Sequence, residues 1–233
     1  VKRAIIRGLW GIKDKAHRST ASRYKIDNEI SSTITNKFRE PFITYVFGKE
    51  NYDFITKTHK ENVILLDDNP APFDQIKYQF RNKLSIIQHA MENDGYDEVL
   101  WMDWDCVQIK KFPSNYWDIF NKKEFIQANL MMYNRKKCNW RKESLRKVPN
   151  SGFLYMRDKT IPSKIIKIWE ELGMCDNDEP AVAKYMDTIT GGWQGMDKYW
   201  ELFEAPFCNL KNKCPYPKEL IATKDVCVIH CHG

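Results

Sequence analysis

The stretch "YDEVLWMDWDCVQI", Tyr96 to Ile109, decides the fold. Val99-Leu100-Trp101-Met102 is apolar without alternation, the pattern of a strand covered on both faces, as in a parallel sheet. Two carboxylates, Asp103 and Asp105, follow at its tip. On extended backbone, side chains at i and i+2 point the same way, so the two acids converge while Trp104 faces elsewhere. Like charges this close repel unless something positive lies between them. A divalent cation bound by oxygen ligands resolves that repulsion, and Mg²⁺ or Mn²⁺ typically uses one or two carboxylates plus phosphate oxygens. The bland reading of Asp-x-Asp is a polar strand end with an acid at a helix cap. Its place directly after "VLWM" favours the metal reading.

Outward from this stretch, short apolar runs alternate with helical patterns. Lys2–Leu9 reads as a strand ending at Gly8 and Gly11, Phe42–Phe47 as a second strand stopped by Gly48, and Asn62–Asp67 as a third. From Phe73 to Met91, apolar residues recur at helical spacing (Ile76, Phe80, Leu84, Ile87, Met91), and Gly95 ends that helix. Pro113 opens a helix through Phe120. "EFIQANLMMY" and "SGFLYM" read as strands. Ile161–Leu172 reads as an amphipathic helix. Asp178 caps a helix over Glu179–Met186, and Val226–His230 is a closing strand. Strands interleaved with helices predict an α/β fold, one domain over 1–233 with a mostly parallel, Rossmann-like sheet flanked by helices. In such sheets ligands sit at the carboxyl ends of the strands, where Asp103 and Asp105 fall.

Composition bounds the function without choosing it. At 42% hydrophobic and 29% charged, the 233 residues are globular rather than disordered. A net charge of +6 suits an anionic small molecule, a membrane surface or nucleic acid. No apolar run is long enough for a transmembrane helix. The first residues read as a strand rather than a signal peptide. The seven cysteines, an odd number, favour free thiols in a reducing compartment. Two basic loops, Lys13–Lys25 and Arg135–Lys147, read either as solvated charge runs or as lids over an anionic ligand.

Four further groups carry candidate chemistry. In the tail, "CVIHCHG", His230 ends a strand and His232 follows; a neutral imidazole can complete a metal site. A structural zinc site from Cys208, Cys214, Cys227, His230, Cys231 and His232 fits no common ligand spacing. In "VPNSGFLYM", Asn150 and Ser151 offer hydrogen bonds to a hydroxylated ligand, and Gly152 permits close backbone approach; an ordinary turn is the bland alternative. In "CDNDEPAVAKYM", Asp176, Asp178 and Glu179 gather at a helix N-terminus, where acids complement the dipole; a carboxylate poised near a reacting carbon is the functional reading. Arg81 and Lys83 lie on the helix before the Asp-x-Asp strand and are either phosphate contacts or surface charges.

Taken in order, these segments resemble the metal-dependent glycosyltransferases of the GT-A fold. "IIRGLWG", with Gly8, Leu9 and Trp10, looks like their nucleotide-base strand. "QFRNKLSIIQHAM" and "YDEVLWMDWDCV" look like the donor helix, with Arg81 and Lys83, and the D-x-D motif. "NSGFLYM" is similar to their Asn-(Ala/Ser)-Gly strand, "NDEPAVAKYM" to their acidic catalytic segment, and "VIHCHG" to their His-x-x-Gly tail. The resemblance implies Mn²⁺ or Mg²⁺ on Asp103, Asp105 and His230. The donor would be a nucleotide-sugar, with uridine as the base, contacting Gly8, Leu9, Trp10, Arg81, Lys83, Asp103, Trp104, Asp105, Asn150, Ser151, Gly152 and His232. Asp178 and Glu179 would be the catalytic acids, and a glycan the acceptor. The Lys and aromatic residue that often follow the tail's Gly are not in this sequence. With no Golgi anchor ahead of it, the expectation is a cytoplasmic enzyme or a module of a longer chain. Short Lys- and Asn-rich enzymes of this type also occur in large DNA viruses, where they decorate capsid glycans.

Two other classes compete. A non-catalytic nucleotide- or single-stranded nucleic-acid-binding protein would use the basic loops with Trp10, Trp140 and Trp193 as a stacking surface; clustered acids at strand ends argue against it. A metal-dependent nucleotidyltransferase or phosphohydrolase also pairs aspartates but normally gathers more carboxylates around two ions.

Overall fold

The structure, a computed structural model, describes residues 1–10, 42–57, 62–66, 79–103, 106–108, 112, 114–120, 125–127, 130–132, 147–149, 151–173, 179–189 and 228–230. Its strands are β1 (Arg3–Leu9), β2 (Phe42–Phe47), β3 (Val63–Leu66), β4 (Glu98–Met102), β5 (Cys106–Gln108), β6 (Phe125–Gln127), β7 (Leu130–Met132), β8 (Lys147–Pro149), β9 (Phe153–Met156) and β10 (Val228–His230). The described helices are α1 (Lys49–Ile55), α2 (Gln79–Glu92), α3 (Tyr116–Phe120), α4 (Ile161–Glu171) and α5 (Glu179–Ile189).

Six strands form the main sheet in the order β3-β2-β1-β4-β9-β6. β3, β2, β1 and β4 are parallel, and β9 runs antiparallel to both β4 and β6. The expected mostly parallel sheet is therefore present. Its order reverses at β1: successive strands go outward to β2 and β3, then the chain crosses back to β4 on the other side. That switch point leaves a crevice between the carboxyl ends of β1 and β4.

β4 is buried along its whole length: Val99–Met102 is apolar throughout, and the buried Glu98 is paired with Arg3 at 3.1 Å and accepts from the Tyr155 hydroxyl at 3.0 Å. Its two faces enter different cores. Val99 and Trp101 pack with Ala4 and Ile6 of β1 beneath α2, α4 and α5. Leu100 and Met102 join Ile5, Phe120, Phe153 and Tyr155 on the opposite face. α2 buries Leu84, Ile86, Ile87, Ala90 and Met91, a stripe at the 3.6-residue period. It ends at Glu92, and Gly95, with a φ of 69°, takes the left-handed conformation in the turn that leads to β4.

The structure also corrects the sequence reading. "EFIQANLMMY" is not one strand. β6 joins the main sheet, whereas β7 pairs with β8 in a separate ribbon. Polar Gln127 and Asn129 separate the apolar pair Phe125-Ile126 from Leu130-Met131-Met132. α1, β5 and β8 are additional elements. The first described residue of α2 is Gln79 and of β10 is Val228, so the earlier parts of both expected segments lie outside the described residues.

Candidate functional site

The crevice is built around Asp103. Trp101 and Asp103, two residues apart, share the face of β4 that looks toward α2. The Trp101 indole Nε1–H donates to Asp103 Oδ1 at 2.7 Å. Lys83, on α2, reaches the other oxygen: Nζ lies 3.3 Å from Asp103 Oδ2. The same ammonium donates to Ser151 O at 2.9 Å and to Ser151 Oγ at 3.0 Å. It also stands 5.9 Å from the Trp101 ring centroid. The Asp103 backbone N–H donates to Gly152 O at 2.8 Å. Lys83, Ser151, Gly152 and Asp103, singled out from three separate stretches of sequence, thus converge on one point.

Burial explains why the convergence is tight. The Lys83 side chain is 5% exposed and that of Asp103 18%. A lysine ammonium has three N–H donors and is costly to bury without partners. The Asp103 and Ser151 oxygens supply them. Both carboxylate oxygens are held, so the Asp103 rotamer is fixed. An ionised carboxylate has about four acceptor positions, so two hydrogen bonds leave capacity for a cation.

β1 forms the other wall. Gly8 stands where β1 passes closest to α2. A Cβ there would lie 2.5 Å from Ile86 Cδ1, 2.8 Å from Trp10 Cζ3 and 2.8 Å from Trp101 Cη2. Only glycine fits. Leu9 is fully buried, whereas Trp10 is half-buried and rests over the end of β1. Arg81 turns toward α4, its guanidinium 4.0 Å from Glu170.

The tail is brought to the same region by backbone pairing. β10 runs antiparallel to β5, with His230 opposite Cys106. Cys106 directly follows Asp105, so the ladder carries His230 to the Asp-x-Asp segment from across the sequence. Glu179 opens α5, which packs against α4 and β8. Trp104, Asp105, Asn150, Asp178 and His232 lie outside the described residues, as do most of the two basic loops and the remaining members of the zinc set. Of the three expected metal ligands, Asp103 is the one whose side chain the structure describes, and a carboxylate suits an oxygen-preferring divalent cation.

Sequence reasoning missed Trp101 as a support for Asp103. The signal was there: an indole donor two residues before an acid on one strand face. It also missed Asn82, buried beside Lys83.

A parallel β3-β2-β1-β4 sheet extended by antiparallel strands, with an acid at the switch-point end of β4, defines the GT-A type of α/β fold. Two solved structures agree. The chain is similar to mouse xyloside xylosyltransferase 1 in its apo form, with a TM-score of 0.55 and 10% identity, over 99% of this chain and 97% of that one. It is similar to the galactosyltransferase LgtC in complex with donor and acceptor sugar analogs, with a TM-score of 0.50 and 13% identity, over 99% and 87% of the two chains. A glycosyltransferase involved in glycosylation of the major capsid of PBCV-1 aligns over 100% of this chain and 95% of that one, with a TM-score of 0.49 and 15% identity. No protein-family model and no curated protein sequence matches the chain. Among the described residues, no helix is long and apolar enough to cross a membrane.

Proposed function

We propose that this protein is a glycosyltransferase that moves a sugar from a nucleoside-diphosphate sugar, with uridine as the base, to a glycan or protein-linked acceptor. The observation that carries the reading is the Asp103 carboxylate. It stands at the switch-point end of β4, is held on both oxygens by Trp101 and Lys83, and has the His230 strand laddered beside its motif. The whole of 1–233 is proposed to act as one such domain. The odd cysteine count suits work in the cytoplasm.

Asp103, Asp105 and His230 are the residues that would hold Mn²⁺ or Mg²⁺. Bound there, the ion would offset the charge that grows on the departing diphosphate. The chain's own groups do the rest. Trp101 and Lys83 fix Asp103, so the carboxylate needs no reorganisation when the donor arrives. Lys83 ties Asp103 to Ser151, which couples the metal side of the crevice to the Asn150-Ser151-Gly152 turn proposed to meet the sugar. Gly8 lets Trp10 and the end of β1 approach closely enough to form a wall for the nucleoside. Glu179, at the start of α5, is proposed as the carboxylate nearest the anomeric carbon, and Asp178 as a partner of a sugar hydroxyl.

The test is a thermal-shift panel of nucleoside diphosphates and nucleotide-sugars, each with Mn²⁺ and with EDTA, followed by detection of free diphosphate and glycosylated product. A ligand that binds only the folded state raises its stability with the logarithm of ligand excess. The expected result is a shift for UDP and one UDP-sugar that disappears with EDTA, and turnover of that sugar. Equal shifts with and without metal, or none for any nucleotide, would overturn the proposal.

A further inference from the structure

We propose that Asn82 and the Trp10 indole N–H read the edge of the nucleobase. The inference rests on the crevice binding a nucleotide-sugar and names the residues that would choose its base.

Asn82 is 1% exposed, and its Oδ1 accepts no hydrogen bond among the described residues. The Trp10 Nε1–H is likewise buried and donates to no described partner. Buried polar groups are nearly always paired in folded proteins, so two orphans in one region call for an explanation. Their placement gives one. α2 leads into β4 and runs antiparallel to β1, so its N-terminal turns lie at the carboxyl end of the sheet, as the Lys83–Asp103 contact shows. Ile86 Cδ1 sits directly over Gly8. Asn82 is one helical turn earlier on the same flank, about 5.4 Å further along the axis. That displacement carries it past Gly8 to the level of Trp10, whose ring also meets Gly8. His89 continues this flank and packs edge-on against Tyr45, so the flank faces β2. Asn82 therefore lies on the side of the crevice away from Ser151.

The chemistry separates a base from a phosphate. A carboxamide oxygen with no donor beside it repels a phosphate oxygen. It pairs instead with an N–H, and the uracil ring presents one, N3–H, flanked by carbonyl acceptors. The amide nitrogen of Asn82 and the indole N–H of Trp10 are the complementary donors. Lys83, one residue on, faces the anionic side at Asp103, so adjacent helix positions divide the nucleotide between them.

The experiment measures binding of UDP and of 3-methyl-UDP, which lacks the N3–H, to the wild-type chain and to Asn82→Leu, by calorimetry with Mn²⁺, together with the melting of each unliganded protein. Removing the partner of a buried polar group is expected to weaken UDP binding about tenfold to a hundredfold. Wild type should therefore lose that factor on going from UDP to 3-methyl-UDP, and Asn82→Leu should bind both equally weakly. Unliganded Asn82→Leu should melt at or above the wild-type temperature, because an unpaired buried acceptor has been replaced by an apolar group of similar size; a packing role would lower it. UDP binding to Asn82→Leu at wild-type strength, or a 3-methyl penalty that survives the substitution, would overturn the assignment of Asn82 while leaving the donor site standing. Wild-type protein that binds no UDP at all would overturn the donor site itself and this inference with it.

Discussion

Replacing Gly8 by alanine puts one methyl group where α2, Trp10 and Trp101 meet. The added carbon would sit 2.5 Å from Ile86 Cδ1 and 2.8 Å from each indole. Carbon atoms rest at about 3.5–4.0 Å, so each neighbour must yield by about 1 Å. All three contacts are side-chain ends, which allows relaxation, but Ile86 and Trp101 are fully enclosed in the core. Overpacking of this kind costs about 1–3 kcal/mol. For a chain of this size that corresponds to a fall in melting temperature of roughly 2–12 °C. The functional effect adds to it. Trp101 also donates to Asp103, so an indole pushed from its seat withdraws one of the two bonds that orient the carboxylate. Urea unfolding and Mn²⁺-dependent UDP binding, measured on the same variant, should show both losses. A Gly8→Ala protein with wild-type midpoint and wild-type metal dependence would refute the close-packed wall and its coupling to Asp103.

Other outcomes follow from the same contacts. Asp103→Ala leaves the Lys83 ammonium buried without its anion and should destabilise by about 3 kcal/mol, the low end for such a loss because Ser151 still accepts from it; Lys83→Met combined with Asp103→Leu should recover most of that in urea unfolding, with activity still abolished. Asp105→Ala, by contrast, should abolish metal-dependent transfer while leaving the circular dichroism spectrum intact, and full activity in it would sink the metal-site assignment. Burial, then the charge and hydrogen bond of Glu98, pushes the Tyr155 phenol above its ordinary range, and burial with Asp94 does the same for Tyr45. Folded pKa values raised in this way give stability that is complete below about pH 10, the ordinary tyrosine value, and is lost as pH rises above it; Tyr155→Phe should flatten part of that alkaline decline. Burial would raise Asp158, but hydrogen bonds from the Thr160 N–H and hydroxyl, then Lys164, hold it below the usual carboxylate range. Its contribution is present above the ordinary carboxylate pKa and lost as pH falls through the folded value, so Asp158→Ala should lower the urea midpoint at neutral pH and leave it unchanged in acid.

The parts of this molecule legible in its sequence are those in which one physical signal dominates. β4 announces itself by an apolar run that no exposed strand would carry, and Asp103 by ending it. The stripe of Leu84, Ile87 and Met91 marks α2 in the same way. β5 and β8, with three residues each, are too short to carry a period. α1 is mostly polar, and Ile55 is its one buried residue among those described. The site was legible as a set of residue types and hidden as a set of contacts. Lys83 reads either as a phosphate contact or as a surface charge. The structure shows it bonded to Asp103 and Ser151, because only tertiary packing brings α2, β4 and the turn before β9 together. Asn82 gave no signal, since an asparagine in a helix is ordinary until its burial is known.

The ladder between β5 and β10 has a consequence for how the protein is made and judged. The main sheet is complete once β9 has been synthesised, and β10 arrives later to pair outside that sheet. A ribosome therefore releases the material for the hydrophobic core well before the strand that ends at His230. If His230 holds the metal as proposed, folding and competence are separate events in the life of one chain. A melting curve, dominated by the core, would score a molecule with its last strand undocked as native. For the proposed donor site, the fraction of a preparation able to work is better counted by the stoichiometry of metal-dependent nucleotide binding than by any probe of foldedness.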